Sequence, residues 1–193
     1  MRTWRPIRVL QIGGVPLLDY RVSESVHYIH VDRTFEFIAQ GHSVCADFSK
    51  LPFESNMFDA VICPHVHELA TSDTAKIFQE SARILADNGA LVVFGIHTGG
   101  MWWFRNIFQR QFFTWNHRWQ SAKTVRNACK KLGVTMRKTQ YLYPSSKKEN
   151  ALIMPFKKTI LSLGKKCLPS MGCGYMYVGV KESQSFNWVG AVA

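Results

Sequence analysis

Three short apolar runs early in the chain are each followed by residues that could hold a ligand: Gly13-Gly14 after residues 7–12, Asp32 after residues 26–31, and Asp47 after residues 42–46. A glycine backbone can approach a ligand closely, and a carboxylate at a strand end can accept hydrogen bonds from hydroxyl or amino groups. Taken singly, each is more often a turn or a cap. After a fourth run, residues 58–63, come Pro64 and His65. A histidine there has the chemistry of a general base, although polar lining of a pocket is its plainer role. His65 and His67 alternate toward one side with Glu68 next to them. A metal site would need further ligands that no other His/Cys cluster supplies, so no metal is expected. Asp59, at the entrance to the fourth run, is expected to serve a turn in solvent, and Cys45 and Cys63 to be small buried residues.

The elements that must carry these residues alternate. Besides the four runs, residues 90–96 read as a fifth strand introduced by the turn Asp87-Asn88-Gly89, with 134–143 and 175–180 as two more. Residues 72–85 place Ala75, Phe78, Ala82 and Leu85 on one helical face, and residues 121–132 read as a second helix stopped by Gly133. Such alternation predicts a doubly wound α/β domain, a single one over residues 1–193, with a mostly parallel sheet and an antiparallel edge. In that architecture a ligand sits outside the carboxyl ends of the strands, where the residues above fall.

Their order resembles the class I S-adenosylmethionine-dependent methyltransferases, and in particular the branch acting on small substrates. The residues that carry it are Val9-Leu10-Gln11-Ile12-Gly13-Gly14, His30-Val31-Asp32, Ala46-Asp47 through Leu51-Pro52-Phe53 with Phe58-Asp59 five residues on, and the stretch 77–93. The resemblance implies a seven-stranded sheet with an antiparallel last strand and S-adenosylmethionine as cofactor. It implies that Ile12, Gly13 and Gly14 pass beside the methionine part, that Asp32 accepts from the ribose hydroxyls, and that Asp47 accepts from the adenine amino group while Phe48 walls the ring. Pro64 and His65 would then lie beside the methyl group. The chain departs from the pattern in two ways: Gln11 stands where the family has an acid, and Gly13-Gly14-Val15-Pro16 replaces a Gly-x-Gly turn. Six residues precede the first strand, where the family places covering helices, so the pocket is expected to be open and completed by another chain, or else the fold is kept without the reaction.

Charge is uneven. Residues 1–101 carry 8 Lys+Arg and 11 Asp+Glu, a net of −3, and residues 102–193 carry the remaining 16 and 2, a net of +14. Such a basic half suits an anionic partner. Between the fifth strand and the second helix, Met101, Phe104, Phe108, Phe112, Trp115 and Trp119 recur at helical spacing, with Trp102 and Trp103 off that stripe beside arginines. Core packing is the plainer use of such a stripe. The other is a lid over residues 101–119, with Trp102, Trp103, Phe104 and Phe108 against a small or amphipathic acceptor and the basic residues on an anionic membrane surface or a protein partner. Three function classes follow: a methyltransferase, a silent methyltransferase fold acting as a partner subunit, and a nucleic-acid-binding protein, the last without a recognisable motif. Five cysteines without a CxxC pair point to a reducing cytoplasm, and no run approaches the roughly 18 apolar residues of a spanning helix.

Overall fold

A computed structural model of the chain describes residues 6–17, 25–34, 43–66, 74–96, 121–142 and 174–183. Within them β1 (Ile7–Ile12), β2 (Val26–Asp32), β3 (Ser43–Cys45), β4 (Phe58–Pro64), β5 (Leu85–Ile96), β6 (Val134–Leu142) and β7 (Gly174–Lys181) form one sheet, with α1 (Thr74–Ile84) and α2 (Ala122–Lys131) as its helices. The strand order is β3-β2-β1-β4-β5-β7-β6. Strands β1 to β5 pair in parallel, while β7 is antiparallel to both β5 and β6. This is the expected α/β architecture. The carboxyl ends of β3, β2, β1 and β4 are therefore neighbours along one rim of the sheet.

Hydrophobic burial explains why these short runs are strands. Leu10, Ile12, Val31, Val61, Cys63 and Val93 are fully buried in a core that also takes in Ile77, Phe78 and Ala82 of α1 and Val125 and Cys129 of α2. Burial pushes the thiols of Cys63 and Cys129 up to about 12, so neither is a nucleophile near neutral pH. Cys45 differs from expectation: it is exposed, because β3 is a three-residue edge strand, and its thiol donates to Arg33 O at 3.3 Å. Asp59 also differs. Its Oδ2 accepts from the backbone N–H of Arg8 at 2.9 Å and lies 3.9 Å from the Nε of the same residue, tying the start of β4 to β1.

Strand β5 starts earlier than its sequence suggests. Phe58 faces Leu85 and Ala60 faces Ala90, so residues 86–89 loop out inside the strand, with Asn88 at φ 60°. The turn chemistry of Asp87-Asn88-Gly89 thus makes a bulge instead of a boundary. Ser121 caps α2 by accepting from Thr124 N at 3.2 Å. Gly133 ends it in the left-handed region at φ 76°. Lys181 of β7 reaches the end of α1, donating to Ala82 O at 2.9 Å and Leu85 O at 2.7 Å. The aromatic stripe 101–119 lies outside the described residues, and among those described no helix is long and apolar enough to cross a membrane.

Two glycines decide how β7 packs. Gly95 of β5 stands opposite Tyr175, whose fully buried ring occupies the place a Cβ would take. Gly179 similarly leaves room for Val134, 2.6 Å from where its Cβ would lie. Gly95→Ala is therefore expected to lower unfolding stability by about 3 kcal/mol through overpacking. A drop in the urea midpoint at unchanged m-value measures it, and an unshifted midpoint would contradict the packing described.

Candidate functional site

The turn after β1 is built by side chains reaching it from the sheet. Gln11 is fully buried, and its amide nitrogen donates to Gly13 O at 2.8 Å and Val15 O at 2.9 Å. Its amide oxygen accepts from Leu17 N at 2.9 Å and from the Tyr28 hydroxyl at 2.7 Å. Next to it on β2, His30 Nε2 lies 2.9 Å from Gly14 O. A carbonyl can only accept, so that nitrogen carries the proton, and the buried Nδ1 has no partner among the described residues. Gly13 and Gly14 both adopt positive φ, 68° and 72°, as the turn requires.

Three consecutive carbonyls, those of Gly13, Gly14 and Val15, are thereby drawn back toward β1 and β2. In a trans peptide the C=O and the following N–H point in opposite directions. The N–H groups of Gly14 and Val15 accordingly face away from these side chains, at the carboxyl rim of the sheet, and Pro16 contributes none. Ile12 offers a ligand only its backbone, since its side chain is wholly within the core.

The ends of β2 and β3 adjoin this turn. Gly13 N donates to Val31 O at 2.7 Å, and Ala46 N to Asp32 O at 3.0 Å. Asp32 Oδ1 accepts from Arg33 N at 2.6 Å and Thr34 N at 3.3 Å, whereas Oδ2 takes no hydrogen bond from any described residue. Asp47 is exposed. The Ser49 N–H, 2.9 Å from its Oδ1, is the main influence holding its carboxyl below the usual value, with the Ser49 hydroxyl next and Arg33 adding a smaller one. Phe48 is 6% exposed, with its ring edge 3.1 Å from where a Cβ on Gly13 would lie. Gly14 similarly abuts Pro64 at 3.2 Å. Residues 13, 14, 32, 47, 48 and 64 are thus brought to one rim. His65 follows at φ 56°, exposed, its N–H bonded to Phe94 O at 3.0 Å. His67, Glu68, Trp102, Trp103, Phe104 and Phe108 lie outside the described residues. Among those described, no three His, Cys, Asp or Glu lie together as metal ligands do.

Two residues that sequence reasoning passed over hold the loop after Asp47. Arg83 of α1 donates to Phe53 O at 2.8 Å and Leu51 O at 3.1 Å, and makes a two-pronged bond to Glu80 at 2.8 Å on each oxygen. Glu80 Oε2 in turn accepts from Leu51 N at 2.9 Å. Leu51-Pro52-Phe53 is therefore gripped by a helix some thirty residues later. An acid and an arginine three apart signal a helical pair. Nothing in that spacing says the fork also reaches a loop. The Arg83 guanidinium, ahead of the Leu51 N–H, holds the Glu80 carboxyl below its ordinary 4.5.

A mostly parallel sheet in this order, with β7 reversed and a glycine turn, two acids and a proline at its carboxyl rim, defines the methyltransferase form of the doubly wound fold. Residues 10–93 match the family model described as a methyltransferase domain. The fold is that of the class I S-adenosylmethionine-dependent methyltransferases. In shape the chain is similar to a complex of the Haloferax volcanii Trm112 methyltransferase activator with a methyltransferase, at 16% identity over 95% of this chain and 86% of that one, TM-score 0.69. It is similar to a methyltransferase of Thermotoga maritima, at 16% identity over 91% and 82%, TM-score 0.62. A third is Haemonchus contortus phosphoethanolamine N-methyltransferase 2 in complex with S-adenosyl-L-methionine, at 18% identity over 93% and 49%, TM-score 0.59. No curated protein matches the sequence significantly.

Two outcomes test the geometry. Gln11→Glu would set a carboxylate against the carbonyls of Gly13 and Val15, and should cost about 3 kcal/mol or more of stability, read from chemical denaturation. For Glu80 the folded value is depressed, so its contribution is complete above pH 4.5 and is lost as pH falls through the folded value. Stability of the chain should fall over that window. Glu80→Gln should flatten the fall, and an unchanged slope would show the clamp to be idle.

Proposed function

We propose that the chain binds S-adenosylmethionine along the carboxyl rim of β1 to β4 and transfers its methyl group to a small or amphipathic acceptor. The observation carrying this reading is the orientation of the turn: with the carbonyls of Gly13, Gly14 and Val15 turned inward, the Gly14 and Val15 N–H groups can receive a carboxylate. Beyond them Asp32 Oδ2 can accept from ribose hydroxyls, and Asp47 and Phe48 can take an amino group and a purine face. These donors and acceptors follow the order amino acid, ribose, base, and so fit the cofactor. When bound, the cofactor supplies a methyl group on a sulfonium, and alignment of the acceptor does the rest of the work. His65, exposed at the end of β4, is proposed as the base that takes a proton from the acceptor.

The finer features extend this reading. Trp102, Trp103, Phe104 and Phe108 are proposed to cover the acceptor. Lys123, Arg126, Lys130, Lys131, Arg137 and Lys138, in a stretch with no acid between residues 121 and 142, suit an anionic membrane surface or protein partner more than they suit RNA, for which no motif exists. A second reading is favoured by Gln11, which presents an amide where the family presents an acid. On that reading the fold serves as a non-catalytic partner subunit, and the similarity to a methyltransferase seen with an activator is compatible with it.

Calorimetry with S-adenosylmethionine and S-adenosylhomocysteine separates the two. Binding of either is expected in the purified chain. Asp32→Asn, which keeps the turn through its oxygen but gives up an ionised acceptor, should weaken it by about 1.5–3 kcal/mol, roughly 10- to 150-fold. Absence of heat at millimolar ligand would move the partner-subunit reading ahead.

A further inference from the structure

Arg33 lies where the proposed site would take a purine. Its guanidinium carbon is 4.7 Å from the centroid of the Phe48 ring, and one of its terminal nitrogens is 3.7 Å from Asp47 Oδ1. The segment that carries it is fixed on both sides, by Arg33 N on Asp32 Oδ1 and by the Cys45 thiol on Arg33 O. Phe48 is itself packed in the core, 6% exposed, with its ring edge 3.1 Å from where a Cβ on Gly13 would lie. The ion pair remains within reach of solvent, with side chains 31% and 61% exposed.

A guanidinium and a purine share three properties: both are flat, both stack on an aromatic face, and both donate N–H groups to a carboxylate. Arg33 uses the same aromatic ring and the same carboxylate that the cofactor reading reserves for adenine. Inserting a flat ring between two others needs about 3.5 Å on each side, hence about 7 Å in total. The 4.7 Å seen here leaves no such gap. We propose that Arg33 is an internal competitor for the purine, a side-chain latch that must leave Phe48 and Asp47 before an adenosyl ligand can enter. This inference rests on the cofactor reading above and adds a residue that weakens, instead of making, the contact with the base. The Ser49 N–H keeps Asp47 in place and ionised while the two exchange partners. Because cation–π contact and an exposed ion pair are each modest, the latch lowers affinity without abolishing it.

The test is calorimetry with S-adenosylhomocysteine and with adenosine on the unmodified chain, Arg33→Ala and Arg33→Lys, with thermal unfolding as a check that each is folded. Arg33→Ala should bind both ligands about 3- to 30-fold more tightly. Arg33→Lys, which keeps the charge but not the flat fork, should fall between. Raising salt should narrow the difference by screening the pair with Asp47. Binding by Arg33→Ala alone would also support the latch. Equal or weaker binding by Arg33→Ala, with the unmodified chain binding, would overturn it and make Arg33 a wall of the purine site. If no form binds either ligand, the cofactor reading itself falls and takes the latch with it.

Discussion

One buried amide sets the form of everything at the carboxyl rim. Gln11 uses both its donors on the turn's carbonyls and its acceptor on Leu17 and Tyr28, so that all of its bonding capacity is satisfied inside the protein. An acid at this place could not do the same, because two of the four partners are carbonyl oxygens that need a donor. The departures at Gln11 and at Val15-Pro16 are therefore linked: the turn that points Val15 O back into the sheet is one that an amide, and not a carboxylate, can close.

From that turn the constraint passes outward by contact. The bare edge of Gly13 admits the Phe48 ring, and Phe48 in turn offers its face to Arg33. On the far side of Phe48, the Glu80–Arg83 pair fixes the backbone at Leu51 and Phe53, so the loop bearing Asp47 is held by α1 as well as by β3. His30 closes the same structure from beneath through Gly14 O. Three strand ends and one helix thus hold a rim that, on the proposed reading, meets a ligand through the Gly14 and Val15 N–H groups and the side chains of Asp32, Asp47 and Phe48. Positioning is the principal demand that methyl transfer makes of a protein, and on the proposed reading the rim would serve it without a nucleophile. The buried thiols of Cys63 and Cys129 accordingly lie in the core and not at the rim.

The strands were legible because they are short runs rich in β-branched and apolar residues, most of them buried at the sheet's centre, and their bounds agree with the runs to within about two residues except at β5. There Asn88-Gly89 carries the local signature of a turn, and only pairing with β4 on both sides of residues 86–89 keeps the segment inside a strand. The order of glycine pair, Asp32 and Asp47 was likewise legible, since each follows its strand directly. What could not be read were the side chains whose roles depend on distant partners. Asp59 meets Arg8 across 51 residues, and Arg83 meets Phe53 across 30. Cys45 is exposed only because β3 is the sheet's edge. Gln11 looked like the loss of a charge, because the carbonyls it serves acquire their direction only when the turn has formed.

That last case alters how the departure from the family pattern bears on function. Had position 11 simply lost an acid, a buried vacancy in the hydrogen bonding would remain, and the turn would have no reason to keep two glycines at positive φ. Instead every polar atom of Gln11 is engaged and both glycines hold the left-handed conformation. The local structure is internally consistent, as expected of a sequence in which neighbouring choices support one conformation. Charge is a separate matter from shape. With an amide at position 11, the turn on the proposed reading meets a ligand through its outward N–H groups, which favour a carboxylate, and supplies no negative charge toward a sulfonium. On the proposed reading, the acids at Asp32 and Asp47 then serve the ribose and base, so that recognition rests on the adenosyl and amino-acid parts of the cofactor, and any preference for a charged over a neutral sulfur must come from residues beyond this turn.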